Sequence, residues 1–114
     1  MAAEYAQVTA ADAVGLVARD EVWLLDVREP HEWALGHAAA AHHIPMGSIG
    51  ARQDELPRDA AILVVCHSGV RSAMVVQALD GAGYETANIE AGMTAWAATG
   101  GDVVDDEGRP GRID

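Results

Sequence analysis

The sequence has no lysine, no phenylalanine and a single cysteine, Cys66, among 114 residues. One cysteine excludes an intramolecular disulfide, a C-x-x-C redox pair and a cysteine-built zinc cage. With three Trp and two Tyr as the only aromatics, the core has to be built from small aliphatic side chains, many of them Ala and Val. All seven basic residues are Arg, set against 18 acidic ones, for a net charge of −11. Such a surface repels phosphate backbones, so neither nucleic acid nor a membrane is expected as a partner. An anionic substrate would need a positive field made locally at the site. No long apolar run is present either. The longest, Ala60 to Cys66, is far short of the roughly 20 residues that a spanning helix needs. The first ten residues, MAAEYAQVTA, have no basic region and no apolar core, so they do not read as a signal peptide. These absences predict a cytoplasmic protein.

The length suits one domain with a core that needs no metal or disulfide. Thr9 opens a loose capping-box pattern, T-A-A-D, and Val14, Leu16 and Val17 share one face of a short helix ending near Arg19-Asp20. Val22 to Val27 reads as a buried strand closed by Pro30, and His31 to Leu35 as one helical turn. Gly36 falls where a helix end calls for a positive φ. Ala38 to Ile44 is ambiguous: its alanines favour helix, but His42-His43-Ile44-Pro45 reads as extended. Ser48 to Leu56 is a short helix or irregular, and Pro57-Arg58-Asp59 a turn. Ala61 to Val65 is the clearest strand. Arg71 to Leu79 is a helix with a stripe of Met74, Val75, Ala78 and Leu79, stopped by Gly81-Ala82-Gly83. Tyr84 to Ile89 is a short strand and Thr94 to Ala98 a short helix. The domain is placed at residues 1–104, with 105–114 as a polar tail and the acidic stretch Asp102 to Glu107 as a solvated end. Strands alternating with helices predict an α/β fold with a mostly parallel sheet. In such sheets ligands bind beyond the carboxyl ends of the strands. Cys66 lies at that end of the best strand.

The chemistry concentrates in Cys66-His67-Ser68-Gly69-Val70-Arg71-Ser72. It is a cysteine, a short glycine-bearing loop, an arginine and then a helix. A loop curling from strand into helix aims several N–H groups at one point, at the positive end of the helix dipole. A sulfur there is stabilised as an anion. Cysteines in such settings have pKa values lowered to about 3.5–7.5 from about 8.5. Gly69 permits the backbone angles of a tight loop, and Arg71 braces the loop or holds an anionic substrate. The matching chemistry is nucleophilic attack by the Cys66 thiolate. A persulfide, a thiophosphate and a mixed disulfide with an external thiol all remain open as the intermediate. The competing reading of Cys66 is a buried core residue. It leaves the G-x-R turn behind the cysteine without a purpose.

Three ordered segments resemble the rhodanese homology domain family. Leu25-Asp26-Val27-Arg28-Glu29-Pro30-His31-Glu32-Trp33, then Gly36-His37 and Ile44-Pro45, are similar to its D-V-R-x-x-x-E-[FYW]-x-x-G-H signature and the Ile-Pro that follows. Cys66 to Ser72 resembles its C-x-x-G-x-R-[ST] loop. Ala91-Gly92-Met93-Thr94-Ala95-Trp96 resembles its G-G-x-x-A-W segment, with Ala91 in place of the first glycine. A second departure is Ala40-Ala41-His42-His43, where the family has Gly-Ala-x-Asn. The likeness spans roughly Val8 to Val104. It implies a rhodanese-like three-layer fold, a five-stranded, mostly parallel sheet with helices on both faces. It implies a sulfurtransferase in which Cys66 takes sulfane sulfur from a donor such as thiosulfate and passes it to cyanide or a thiol. The amides of His67, Ser68, Gly69, Val70, Arg71 and Ser72 would surround the persulfide. No metal or organic cofactor is implied. Relatives that handle sulfur generally have this loop length, six residues from Cys66 to Arg71, whereas relatives acting on phosphate or arsenate have one more.

The remaining candidates read as structural. Asp26, Arg28 and Glu32 form a charged network at a strand end, with Asp26 and Arg28 supporting the site edge. His37, His42 and His43 lack metal-ligand spacing. His67 lines the pocket mouth rather than acting as a base. Trp23, Trp33 and Trp96 pack the core or a pocket wall. Three rivals stand beside the sulfurtransferase: a sulfur-relay module fed by a protein donor or acceptor, a cysteine phosphatase or arsenate reductase, and a non-catalytic interaction domain.

Overall fold

A computed structural model of the chain describes residues 5–114. Five parallel strands form one sheet: β1 (Gln7–Val8), β2 (Trp23–Asp26), β3 (His42–His43), β4 (Ile62–Val65) and β5 (Thr86–Ile89), in the order β1-β5-β4-β2-β3. Strand β4 is central and every residue of it is buried. Apolarity without alternation is what a strand covered on both faces requires. The helices are α1 (Ala10–Ala18), α2 (Pro30–Leu35), α3 (Val70–Gly81) and α4 (Gly92–Ala98). The Thr9 hydroxyl caps α1 by accepting from the Asp12 amide at 3.1 Å.

Successive strand residues feed opposite cores. Leu25, Ile62 and Val64 pack with Val75, Val76 and Leu79 of α3. Leu24, Leu63, Val65 and Ile89 pack with Ala10 and Ala13 of α1 and Met93 and Trp96 of α4. The result is the three-layer α/β architecture anticipated from the sequence. Each fully buried Leu, Ile or Val contributes about 1.5–3 kcal/mol of transfer free energy. None of the described helices is long and apolar enough to cross a membrane.

Several expectations shift. In α3 the buried side chains are Ser72, Ala73, Val75, Val76 and Leu79. Met74 and Ala78, expected on the apolar stripe, are exposed. The helix rests on the sheet through the arc centred on Val76, which leaves Met74 on the rim. The segment Ser48 to Leu56 holds only short 3-10 turns, at Met46–Ser48 and Gln53–Glu55. Gly36 does not take the left-handed conformation expected of it. It is extended, at φ 172°, and is needed for close packing: a Cβ there would lie 2.6 Å from the Arg112 backbone.

That contact shows the segment after Gly101 to be folded back, not a free solvated end. Val104 bridges His37 in antiparallel fashion, and Arg112 N–H donates to Leu35 O at 3.0 Å. Trp96 Nε1 donates to Asp102 O at 2.8 Å, and the Asp102 carboxylate accepts from the Ala39 amide at 2.8 Å. Polar composition hid the docking because it runs largely through backbone groups.

Asp26 and Arg28 form a buried ion pair, 0% and 1% exposed, with Arg28 Nη2 at 2.8 Å from Asp26 Oδ2. The same Nη2 donates to Gly36 O at 2.8 Å. The pair thereby joins β2 to the far end of α2.

Ala91, the N-cap of α4, sits in the left-handed region at φ 57°, ψ 13°. A side-chain-bearing residue pays about 1–2 kcal/mol there, partly offset by the lower unfolded-state entropy of alanine relative to glycine. Ala91→Gly is therefore expected to raise unfolding stability by up to about 1 kcal/mol. Urea titration of the two proteins measures this, and an unchanged or lower midpoint contradicts it.

Candidate functional site

The site begins where β4 runs out. Cys66 follows Val65 and is 1% exposed. The chain then turns back through His67, Ser68 and Gly69 into α3. Gly69 makes the turn in the left-handed region, at φ 105°, where glycine carries no steric penalty. The Gly69 amide donates to Cys66 Sγ at 3.1 Å, and the Ser72 hydroxyl lies 3.3 Å from the same sulfur.

The loop's carbonyls are held away from the sulfur by α4. Met93 N–H donates to Cys66 O at 2.8 Å, and Thr94 donates to His67 O through its amide at 3.3 Å and its hydroxyl at 3.2 Å. Gly92 makes this approach possible, because a Cβ at that position would fall on the Cys66 and His67 carbonyls. Helix α4 starts two residues earlier than its sequence pattern indicated, and those first residues serve the loop.

Burial is the largest single influence on the Cys66 thiol and pushes its pKa up. The Ser72 hydroxyl, then the amides of Ser72, Gly69 and Ser68, act against it and together prevail. The pKa is lowered from that of an ordinary cysteine. These donors favour the anion, which is the condition for a nucleophilic sulfur.

Arg71 turns toward α2. Its Nη1 and Nη2 bind the two Glu32 oxygens at 2.6 and 2.9 Å. This fork is strong and directional, and it ties the loop to α2. Glu32 also accepts from the Glu29 amide at 2.9 Å, closing a capping box. The sequence placed Glu32 in a structural charge cluster; the fold places it as the partner of the loop arginine. Arg71 is thus already charge-paired. Among the other loop residues, His67 is half-buried, while Ser68 and Val70 are exposed.

Three further histidines, His37, His42 and His43, engage in stacking. Trp33 lies between His37 and His43, at ring distances of 3.5 and 4.6 Å, and Trp23 stacks on His42 at 4.0 Å. His37 Nδ1 and His43 Nε2 each face a carbonyl, of Trp33 and Arg28. Trp96 is buried in the core.

Sequence reasoning missed Asn88. It is 2% exposed, near the carboxyl end of β5, and its Oδ1 lies 2.5 Å from Ser72 Oγ. The available signal was one amide side chain in a strand otherwise suited to burial, at the strand end where ligands bind.

The Arg71 bond is the first cause of the Glu32 carboxyl falling to about 2 from 4.5, aided by the Glu29 amide and opposed by burial. A depressed carboxylate stabilises the fold above its unfolded pKa, and this contribution fades as pH falls through the folded pKa. Wild type should therefore lose stability between pH 4.5 and about 2 in a component that Glu32→Gln lacks. Urea unfolding across that range measures it. Parallel pH profiles would contradict the assignment.

Comparisons with known proteins agree with this geometry. The sequence profile of the rhodanese-like domain matches residues 9–99. A Bacillus subtilis protein named "Putative sulfurtransferase YtwF" is 42% identical over 88 residues, covering 77% of this chain and 85% of that protein. A protein of Allochromatium vinosum named "Sulfurtransferase" is 37% identical over 90 residues, covering 78% and 84%. The crystal structure of a rhodanese-related protein from Thermoplasma volcanium superposes with a TM-score of 0.82 at 33% identity, covering 88% of this chain and 98% of that one. With the profile spanning most of the chain and the fold shared, the chain belongs to the rhodanese-like domain family.

Proposed function

We propose that the protein is a sulfurtransferase that carries sulfane sulfur as a persulfide on Cys66. The observation that carries this reading is the buried Cys66 sulfur with the Gly69 amide and Ser72 hydroxyl directed at it. The names of the curated relatives point to the same chemistry at family level.

In the first step the Cys66 thiolate attacks the sulfane sulfur of the donor. A new S–S bond forms while the donor's bond to that sulfur breaks, and the electron pair leaves with sulfite or a thiolate. The negative charge now lies on the outer sulfur, within the ring of loop amides. In the second step cyanide or a thiolate attacks the outer sulfur, and Cys66 departs as a thiolate. Groups that lower its pKa make it a better leaving group. The loop spans six residues from Cys66 to Arg71. That is tight for a tetrahedral oxyanion and sufficient for one terminal sulfur, so hydrolysis of an aryl phosphate is not expected.

One observation favours a protein-borne donor or acceptor over free thiosulfate. Arg71 is paired with Glu32, so the loop's only arginine does not stand free for a dianion. Beside the loop, Val70 and Met74 are 69% and 58% exposed and one turn apart on α3. Met74 also lines an open groove of about 390 Å³ with Met46, Ile49 and Leu79. An apolar surface next to the nucleophile suits a partner protein that delivers or removes the sulfur.

Intact mass spectrometry tests the transfer. The reduced protein is incubated with thiosulfate or with glutathione persulfide, before and after cyanide is added, with Cys66→Ala as control. The expected result is a gain of one sulfur atom, absent in Cys66→Ala and removed by cyanide as thiocyanate. Loading from the persulfide should exceed loading from thiosulfate. A folded, reduced protein that gains sulfur from neither donor contradicts the reading.

A further inference from the structure

Ser72 Oγ carries one proton and faces two acceptors, Asn88 Oδ1 at 2.5 Å and Cys66 Sγ at 3.3 Å. All three residues are buried, at 0%, 2% and 1% exposure. The Asn88 amide is oriented by its other end: Nδ2 donates to Gln7 Oε1 at 3.3 Å and to Gly69 O at 3.4 Å. Both are acceptors. A flipped amide would set Oδ1 against them, so Oδ1 belongs on the Ser72 side. There it can only accept. Asn88 and the sulfur therefore compete for a single hydroxyl proton.

We propose that Asn88 is a positioning residue for the reaction at Cys66, holding the Ser72 hydroxyl proton whenever the Cys66 sulfur is uncharged and yielding it when that sulfur is an anion. This rests on the persulfide reading for its role in turnover, but its geometry is independent of any donor. In the thiolate, the hydroxyl turns to Sγ and forms a charge-assisted bond. In the thiol, S–H donates to Ser72 Oγ and the hydroxyl rests on Asn88. In the persulfide, the charge has moved to the outer sulfur and the inner sulfur is a weak neutral acceptor, so the hydroxyl returns to Asn88. Only a rotation about the Ser72 C–O bond is needed. No buried hydroxyl proton is left unpaired in any state, which would otherwise be costly. The second transfer then reverses the movement: as Cys66 departs with negative charge, the hydroxyl swings back to meet it.

Two consequences separate this role from packing. Removing the acceptor leaves the hydroxyl with sulfur alone, which favours the thiolate. The effect also has to vanish when Ser72 has no hydroxyl. Asn88→Leu is nearly isosteric and serves as the acceptor deletion. The thiolate is titrated by its ultraviolet absorbance in wild type, Asn88→Leu, Ser72→Ala and the double variant. The charged and titratable groups around the sulfur, Arg71 with its partner Glu32 from α2 and His67 on the loop, are the same in all four.

Asn88→Leu is expected to lower the Cys66 pKa by about half to one unit, the size of one hydrogen bond. Ser72→Ala is expected to raise it by a similar amount. The double variant should match Ser72→Ala. A pKa that rises or stays constant in Asn88→Leu overturns the proposal, as does an equal downward shift in the Ser72→Ala background. Should Asn88→Leu not fold, as judged by circular dichroism, Asn88→Ala deletes the same acceptor and is read by the same criteria. None of these titrations involves sulfur transfer. A protein that shows the coupling but accepts no sulfur would retain this inference and lose the proposed function.

Discussion

The amides at the start of α4, Met93 and Thr94, reach across to the carbonyls of Cys66 and His67, and the site depends on those bonds. A strand-to-helix loop has to direct its carbonyls somewhere, and each buried one needs a donor. With these two drawn toward α4, the N–H groups of Ser68, Gly69 and Ser72 are left to face the sulfur. The constraint extends back into sequence: only a residue without a Cβ at position 92 lets the two segments meet, and only a left-handed residue at 69 lets α3 begin where it does. The surroundings of Cys66 are thus set by backbone placement more than by the side chains of His67, Ser68 and Val70.

Charge is handled in the same economical way. The two arginines near the site are each committed to one carboxylate, Arg28 to Asp26 in the interior and Arg71 to Glu32 at the edge. Both pairs also touch α2 or its boundaries, through Gly36 O for Arg28 and through Glu32 itself for Arg71. The six-residue helix Pro30–Leu35 is too short to be stable alone, and it is held between these pairs. The groups that favour an anionic Cys66 are accordingly hydrogen-bond dipoles, of Ser72, Gly69 and Ser68, rather than a free cation. In the proposed persulfide cycle the loop amides, fixed by the fold, would keep their places as charge moves between two sulfur atoms, and only the Ser72 hydroxyl would turn.

Much of this was legible in the sequence for identifiable reasons. The apolar run Ile62 to Val65 marked the central strand, because an unbroken apolar run suits a strand buried on both faces. Cys66, Gly69 and Arg71 stood out because that combination at a strand-to-helix turn has no packing purpose. Three features were not legible. The burial of Asp26 and Arg28 goes with the chain coming back past them at Gly36, after α2, which a reading of charge pattern does not encode. The docking of residues 101–112 uses backbone bonds, invisible to a reading of side-chain polarity. Asn88 lies 16 residues from Ser72 and meets it only through the parallel pairing of β4 with β5. Met74 illustrates the converse: helical periodicity named it as core, but the sheet meets α3 along a neighbouring arc, and it was left at the surface.

The most direct test of the cradle is a crystal structure of the sulfur-loaded protein. The account predicts an extra sulfur on Cys66 within hydrogen-bonding distance of several loop amides between His67 and Ser72, with Met93 and Thr94 still bonded to the Cys66 and His67 carbonyls. A terminal sulfur turned away from the loop amides, or a loop that opens and releases its bonds to α4 on loading, would contradict it.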